Sequence, residues 1–203
     1  MFDQNMNHFR ERNNYYTLEE LNTIICQNNT VFDLYSVLIS RNVIIGSDNI
    51  IYPGVIIDSD SISTIKIGNS NTFFNNTHLD AKNEGIIEIG DFNSFNDGPM
   101  VIKSNMKNSH IIFRNQGRFD GRISIFGQCK FGTGSQILGN INVYNCTLED
   151  GVDFSNPNVE ERAGLIKGMG NAKNLQVGKG MVINGFGEFS QEGVEKQLKY
   201  HPK

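Results

Sequence analysis

The chain has no Trp, only three Ala, four Pro, three Cys and four His among 203 residues. Scarcity of Ala, the best helix former, argues against a body built of long helices. Cys26, Cys129 and Cys146 are an odd number with no Cys-x-x-Cys spacing. Neither a disulfide framework nor a zinc knuckle is implied, and buried thiols are expected. Positive charge is not in excess: the net charge is -4 and the pI about 5.6, which argues against a nucleic-acid surface or a polybasic membrane patch. No apolar run approaches the roughly 18 residues of a membrane span. The opening MFDQNMNHFRERNN has no apolar h-region, so a cytoplasmic location is expected. Nucleotide, phosphate and hydrolase signatures (GxGxxG, Walker, GxSxG, HExxH) are also missing.

What is present in quantity is Asn, 27 residues, and Gly, 21, material for many tight corners. Their placement is periodic. The stretch IKIGNSNTFFNN, 65 to 76, returns 22 places later as IEIGDFNSFNDG, 87 to 98. Large apolar residues step by six within the trios Ile45, Ile51, Ile57; Ile67, Phe73, Leu79; and Ile89, Phe95, Val101. The step then runs unbroken from Phe113 through Phe119, Ile125, Phe131, Ile137 and Val143, and returns as Val177, Ile183 and Phe189. A helix asks for steps of three or four and a simple strand for alternation. A step of six fits a short strand with a corner in every hexad, where residues i and i-2 face inward. Positions i-2 hold Val43, Val55, Ile65, Ile87, Ile123 and Ile141, or smaller residues such as Asn49, Asn71, Asn93, Cys129 and Ser135.

These hexads, among them IGSDNI, IGNSNT, IGDFNS, FGTGSQ and VGKGMV, resemble those of the hexapeptide-repeat superfamily. The resemblance implies an all-β fold, a left-handed parallel β-helix of about six to seven coils with corner loops, in which three hexads close a coil and equivalent positions stack. Asn49, Asn71 and Asn93 then form an inner ladder, Ile51, Phe73, Phe95 and Phe119 one apolar column, and Ile57, Leu79, Val101 and Ile125 another. The helix body is expected over 37–189, less regular over 149–174. An N-terminal tail and capped helix occupy 1–36, the first 14 residues mobile, and a C-terminal helix and tail 190–203, with Val194 and Leu198 on one face.

Candidate chemistry centres on His78, which precedes the inward Leu79 and so points outward. Counting by 22 gives it Ile56 and Met100 as stacked neighbours, with Asp80 and Asp58 beside it. Burial lowers a His pKa and a carboxylate raises it, leaving a general base near neutrality; packing in a subunit contact is the plain alternative. His110 is expected in the longest loop. The resemblance implies a homotrimer in which a His between prisms deprotonates a small-molecule hydroxyl or amine that attacks acetyl-CoA, with Arg114, Arg118, Lys173 and Lys179 as candidate cations for its phosphates. The superfamily's γ-class carbonic anhydrases imply a zinc site instead, but their His positions fall here on Asp97 and Ile102, so no metal is expected. Two alternatives remain: a non-catalytic scaffold whose hexads stack end to end, and a carbonic-anhydrase-like metal protein lacking the usual His ligands, in which His78, Asp80 and His110 form a different site.

Overall fold

The computed structural model describes residues 2–201. Residues 1, 202 and 203, the outermost of the expected tails, lie outside the described residues. Three walls of short parallel strands wind about one axis, making seven complete coils and two walls of an eighth. The first wall begins Thr30–Val31, Ile50–Ile51, Thr72–Phe73, Ser94–Asn96, Arg118–Asp120. The second begins Leu38–Ile39, Ile56–Ser59, His78–Ala81, Val101–Ser104, Ile123–Phe126. The third runs from Ile44–Ile45 to Gln176–Val177. This is the left-handed parallel β-helix that the hexads predict.

Every sixth apolar residue from Phe113 to Val143 is buried, and so are the inward positions two before each. Phe73, Phe95 and Phe119 stack coil on coil, their ring centroids 5.1 and 5.2 Å apart. Phe113 and Phe131 meet this column from the third wall, Phe113 edge-on to Phe95. Stacked and edge-to-face pairs at these distances are favoured aromatic geometries.

Coil length varies while the walls stay in register. Ile51, Phe73 and Phe95 are 22 apart, but Phe119 lies 24 beyond Phe95, Ile137 18 beyond Phe119 and Ile166 29 beyond Ile137. The difference corrects one expected column: Leu79 pairs with Ile102, not Val101, and Ile102 pairs with Ile125. The corner at Asp97, Gly98 and Pro99 carries one more residue than its counterpart, so Val101 faces out and Ile102 is buried.

Two polar ladders lock the corners. Inside, Asn29, Asn49, Asn71 and Asn93 are buried. Each Oδ1 accepts from the backbone N–H of the next rung at 2.8–2.9 Å, the last from Gly117. Those of Asn29, Asn49 and Asn71 also accept from the next side-chain amide at 2.9–3.1 Å. Outside, Asn69, Asp91 and Asn115 cap the N–H groups of Ser47, Asn69 and Asp91. This outer ladder explains the Gly of the repeated Ile-x-Ile-Gly: a Cβ on Gly46, Gly68 or Gly90 would lie 2.2–2.4 Å from the stacked Asn or Asp oxygen.

The irregular stretch leaves the body as a loop with a short 3-10 turn, Val159–Glu161, then rejoins it as Leu165–Lys173. That strand stacks between Gln136–Tyr144 and Met181–Phe189, and all three cross from the first wall to the second without a loop. They bend at Gly139, Gly168 and Gly185. Gly139 and Gly168 have φ of +128° and +123°, and a Cβ on either would come within 2.0 Å of the next carbonyl oxygen.

Both ends are covered. The first residues, expected to be mobile, form α1 (Phe2–Arg12). Arg10 is fully buried and donates to the carbonyls of Tyr16, Leu34, Tyr35 and Val37. Thr17 and Glu20 bond reciprocally ahead of α2 (Leu21–Ile25), the capping box expected there, and Leu21 and Ile24 join the core. Beyond Ser190 the expected amphipathic helix is replaced by two 3-10 turns around the strand Val194–Lys196, which pairs antiparallel with Met181–Ile183. Val194 therefore lies against Ile183, not beside Leu198 on a helix face. Cys129 and Cys146 are buried thiols as expected; Cys26, at the end of α2, is exposed.

Candidate functional site on the second wall

Alternation along His78–Ala81 sends Leu79 and Ala81 into the core and leaves His78 and Asp80 on the outer surface. Stacking then gives His78 the outward neighbours Leu38 and Ile56 on one side and Val101 and Ser124 on the other. Met100, expected beside it, is instead fully buried. Asp58, Asp80 and Lys103 stack in the adjacent outward row. Thus His78, Asp80 and Asp58 come together as expected.

Asp58 is heavily engaged: it accepts from Ser40 Oγ at 3.0 Å and pairs with Lys82 Nζ at 2.8 Å. Tyr15, held against Ser40 by an antiparallel bridge, brings its phenol to the same place. Burial, then the carboxylates of Asp58 and Asp80, push that phenol up to about 12. Among the described residues Asp80 makes no side-chain hydrogen bond or ion pair, and it is the carboxylate that acts most strongly on His78. Burial holds the His78 imidazole below its usual 6.5; Asp80 and Asp58 pull it up, while Lys103 and Lys82 push it down. The ring is therefore neutral at pH 7. Among the described residues nothing hydrogen-bonds to it. A half-buried neutral imidazole with an unused lone pair is equipped to take a proton.

Other expected groups do not join this site. His110 opens a strand of the third wall, not a loop, with Nε2 3.1 Å from Glu88 Oε2. Asp97 is exposed on a corner and Ile102 is in the core. Among the described residues no three His, Cys, Asp or Glu side chains converge to hold a metal ion. Of the candidate phosphate-binding cations, Arg118 pairs with Asp120 at 2.5 Å, Lys179 with Glu161 and Lys173 with Glu188 at 4.0 Å. Lys103, two residues beyond Val101, is in register with Asp80 and forms no ion pair among the described residues.

No family model, curated protein or solved structure matches this chain. The chemistry of the second wall therefore carries the functional reading. Among the described residues no helix is long and apolar enough to cross a membrane.

Proposed function

We propose that this protein is an acyltransferase of the hexapeptide-repeat type, moving an acetyl group from CoA to a small-molecule hydroxyl or amine, with His78 as general base. The observation that carries the reading is the half-buried His78 imidazole, unbonded among the described residues, in the outward row next to that of Asp80 and Asp58. His78 takes the acceptor's proton as its oxygen or nitrogen attacks the thioester carbonyl. The C–S bond breaks, and the imidazolium returns the proton to the departing sulfur. Asp80 stabilises the imidazolium, and Asp58, fixed by Ser40 and Lys82, stacks behind Asp80. The free ammonium of Lys103 suits an anionic acyl donor.

Assembly supplies what a flat wall lacks. Leu38, Ile56 and Val101 are outward apolar groups in one row with His78, and such rows are usually buried by another subunit. A homotrimer placing this wall against a neighbour would turn it into a cleft. End-to-end stacking into a scaffold has less support, because Arg10 and the two helices cover one end. At the other, the Gln191 carboxamide pairs with both backbone groups of Gln176 at 2.8 Å, imitating a further strand.

Thermal denaturation with acetyl-CoA, CoA and a non-thioester adenine nucleotide tests the reading. A ligand at 100 times its dissociation constant adds about 2.7 kcal/mol, so acetyl-CoA is expected to raise the melting temperature by about 5–10 °C. His78→Gln should keep that shift and lose acetyl transfer to an amine and alcohol panel. No shift at millimolar acetyl-CoA would contradict the proposal.

A further inference from the structure

The corner leading into the first wall repeats in six successive coils with one residue in the left-handed region: Asn28, Asp48, Ser70, Phe92, Gln116 and Gly134, with φ between +57° and +75°. Five of these are polar or glycine, the types that tolerate such a backbone. Phe92 is the exception. A bulky aromatic residue is strained there, and its ring is 62% exposed, so it gains no core packing. Strain without burial is the mark of a side chain displayed for contact.

A second aromatic ring stands across from it. Phe154, also exposed, is carried on a tight turn that Asp153 closes by accepting from the Ser155 N–H and hydroxyl. The Arg118 guanidinium lies over the Phe154 ring, 5.0 Å from its centroid. Phe92 and Phe154 together line a cleft of about 360 Å3 whose polar lining includes Ser94, Asn96 and Gln116. Among the described residues these three side chains have no hydrogen-bond partner. Arg118 is neutralised by Asp120 through both Nε and Nη2, so no uncompensated positive charge is offered to an anion.

From this geometry we propose that the cleft binds a neutral sugar ring. Aromatic side chains cover the apolar C–H face of a pyranose, while a hydroxyl and two carboxamides both donate to and accept from its hydroxyls. The volume lies at the small end for ligand sites, fitting one or two rings. The site opens from the first wall and its corner, whereas His78 faces out from the second, so it stands independently of acyl transfer.

Calorimetric titration of the full chain with glucose, galactose, mannose and N-acetylglucosamine, without any acyl donor, tests this. At least one is expected to bind with a dissociation constant in the millimolar range, and Phe154→Ala to weaken it about tenfold or more. Phe92→Asn gives the sharper result. Asn accepts the left-handed backbone, so this variant should melt about 2 °C higher and yet lose the sugar. Binding retained by Phe92→Asn, no binding of any of the four sugars, or tighter binding of glucose 6-phosphate than of glucose would each overturn the proposal.

Discussion

At the scale of single residues, the inner Asn ladder shows why so polar a chain has so dry a core. Asn71 accepts from the Asn93 N–H and side-chain amide and donates to Asn49 Oδ1 and the Gly90 carbonyl. A buried amide costs stability unless all its groups are paired, and stacking pairs them. Removing the Asn71 side chain takes the acceptor from the Asn93 N–H and the amide donor from the Gly90 carbonyl. Asn71→Ala is therefore expected to cost about 2–4 kcal/mol, lowering the melting temperature by roughly 5–15 °C. Differential scanning calorimetry checks this, and a change within 1 °C would show the ladder to be decorative. The ladder was legible in the sequence because Asn49, Asn71 and Asn93 recur at a fixed spacing. Its first rung, Asn29, was not, since the coil it begins is 20 residues long and not 22.

Elements at the two ends are where sequence reading failed most, and the reason is physical. Hexads announce themselves by period, whereas a cap is specified by a few contacts distant in the chain. Arg10 meets carbonyls 24 to 27 residues away, and nothing in MFDQNMNHFRERNN signals that a guanidinium will be buried. Burial lowers its pKa and nearby Asp33 raises it, but a guanidinium stays charged in any protein. Hydrogen bonds to a charged donor are worth about 1.5–3 kcal/mol each when the acceptor cannot reach water. Arg10→Met leaves the Val37 carbonyl without this partner, so α1 should undock. Limited proteolysis is then expected to cleave within residues 2–16 at least tenfold faster than in the parent chain. Equal rates would mean that α1 is held by something else. Beyond Ser190, Val194 and Leu198 carried a helical spacing, yet pairing with the exposed edge of Met181–Ile183 satisfied backbone groups that a helix would have left open.

For the whole molecule, the three-walled prism was readable because side-chain direction alternates along each short strand, and the large apolar residues recurring every sixth place point inward. Stacked neighbours were less readable. They depend on coil length, and one additional residue near Gly98 moved the partner of His78 from Met100 to Val101 and brought Lys103 into register with Asp80, which a fixed count of 22 does not show. Tyr15 was invisible for the same reason as Arg10: it crosses from outside the repeat to reach Asp58. Stability should follow the His78 titration. Burial depresses its pKa in the folded chain, so the unfolded chain binds the proton first as pH falls. The stabilising contribution is complete above about 6.5 and is lost as pH drops toward the lower folded value. His78→Gln is expected to flatten the melting temperature between pH 7 and the folded pKa compared with the parent, as read by calorimetry across that range.

The most direct test of the second wall as a base awaiting an acyl donor is an NMR titration of the His78 ring protons, assigned with His78→Gln, with and without CoA. A pKa below 6.5 and a His78 resonance that moves on adding CoA are the predicted results. A pKa at or above 6.5, with a signal indifferent to CoA, would contradict the account.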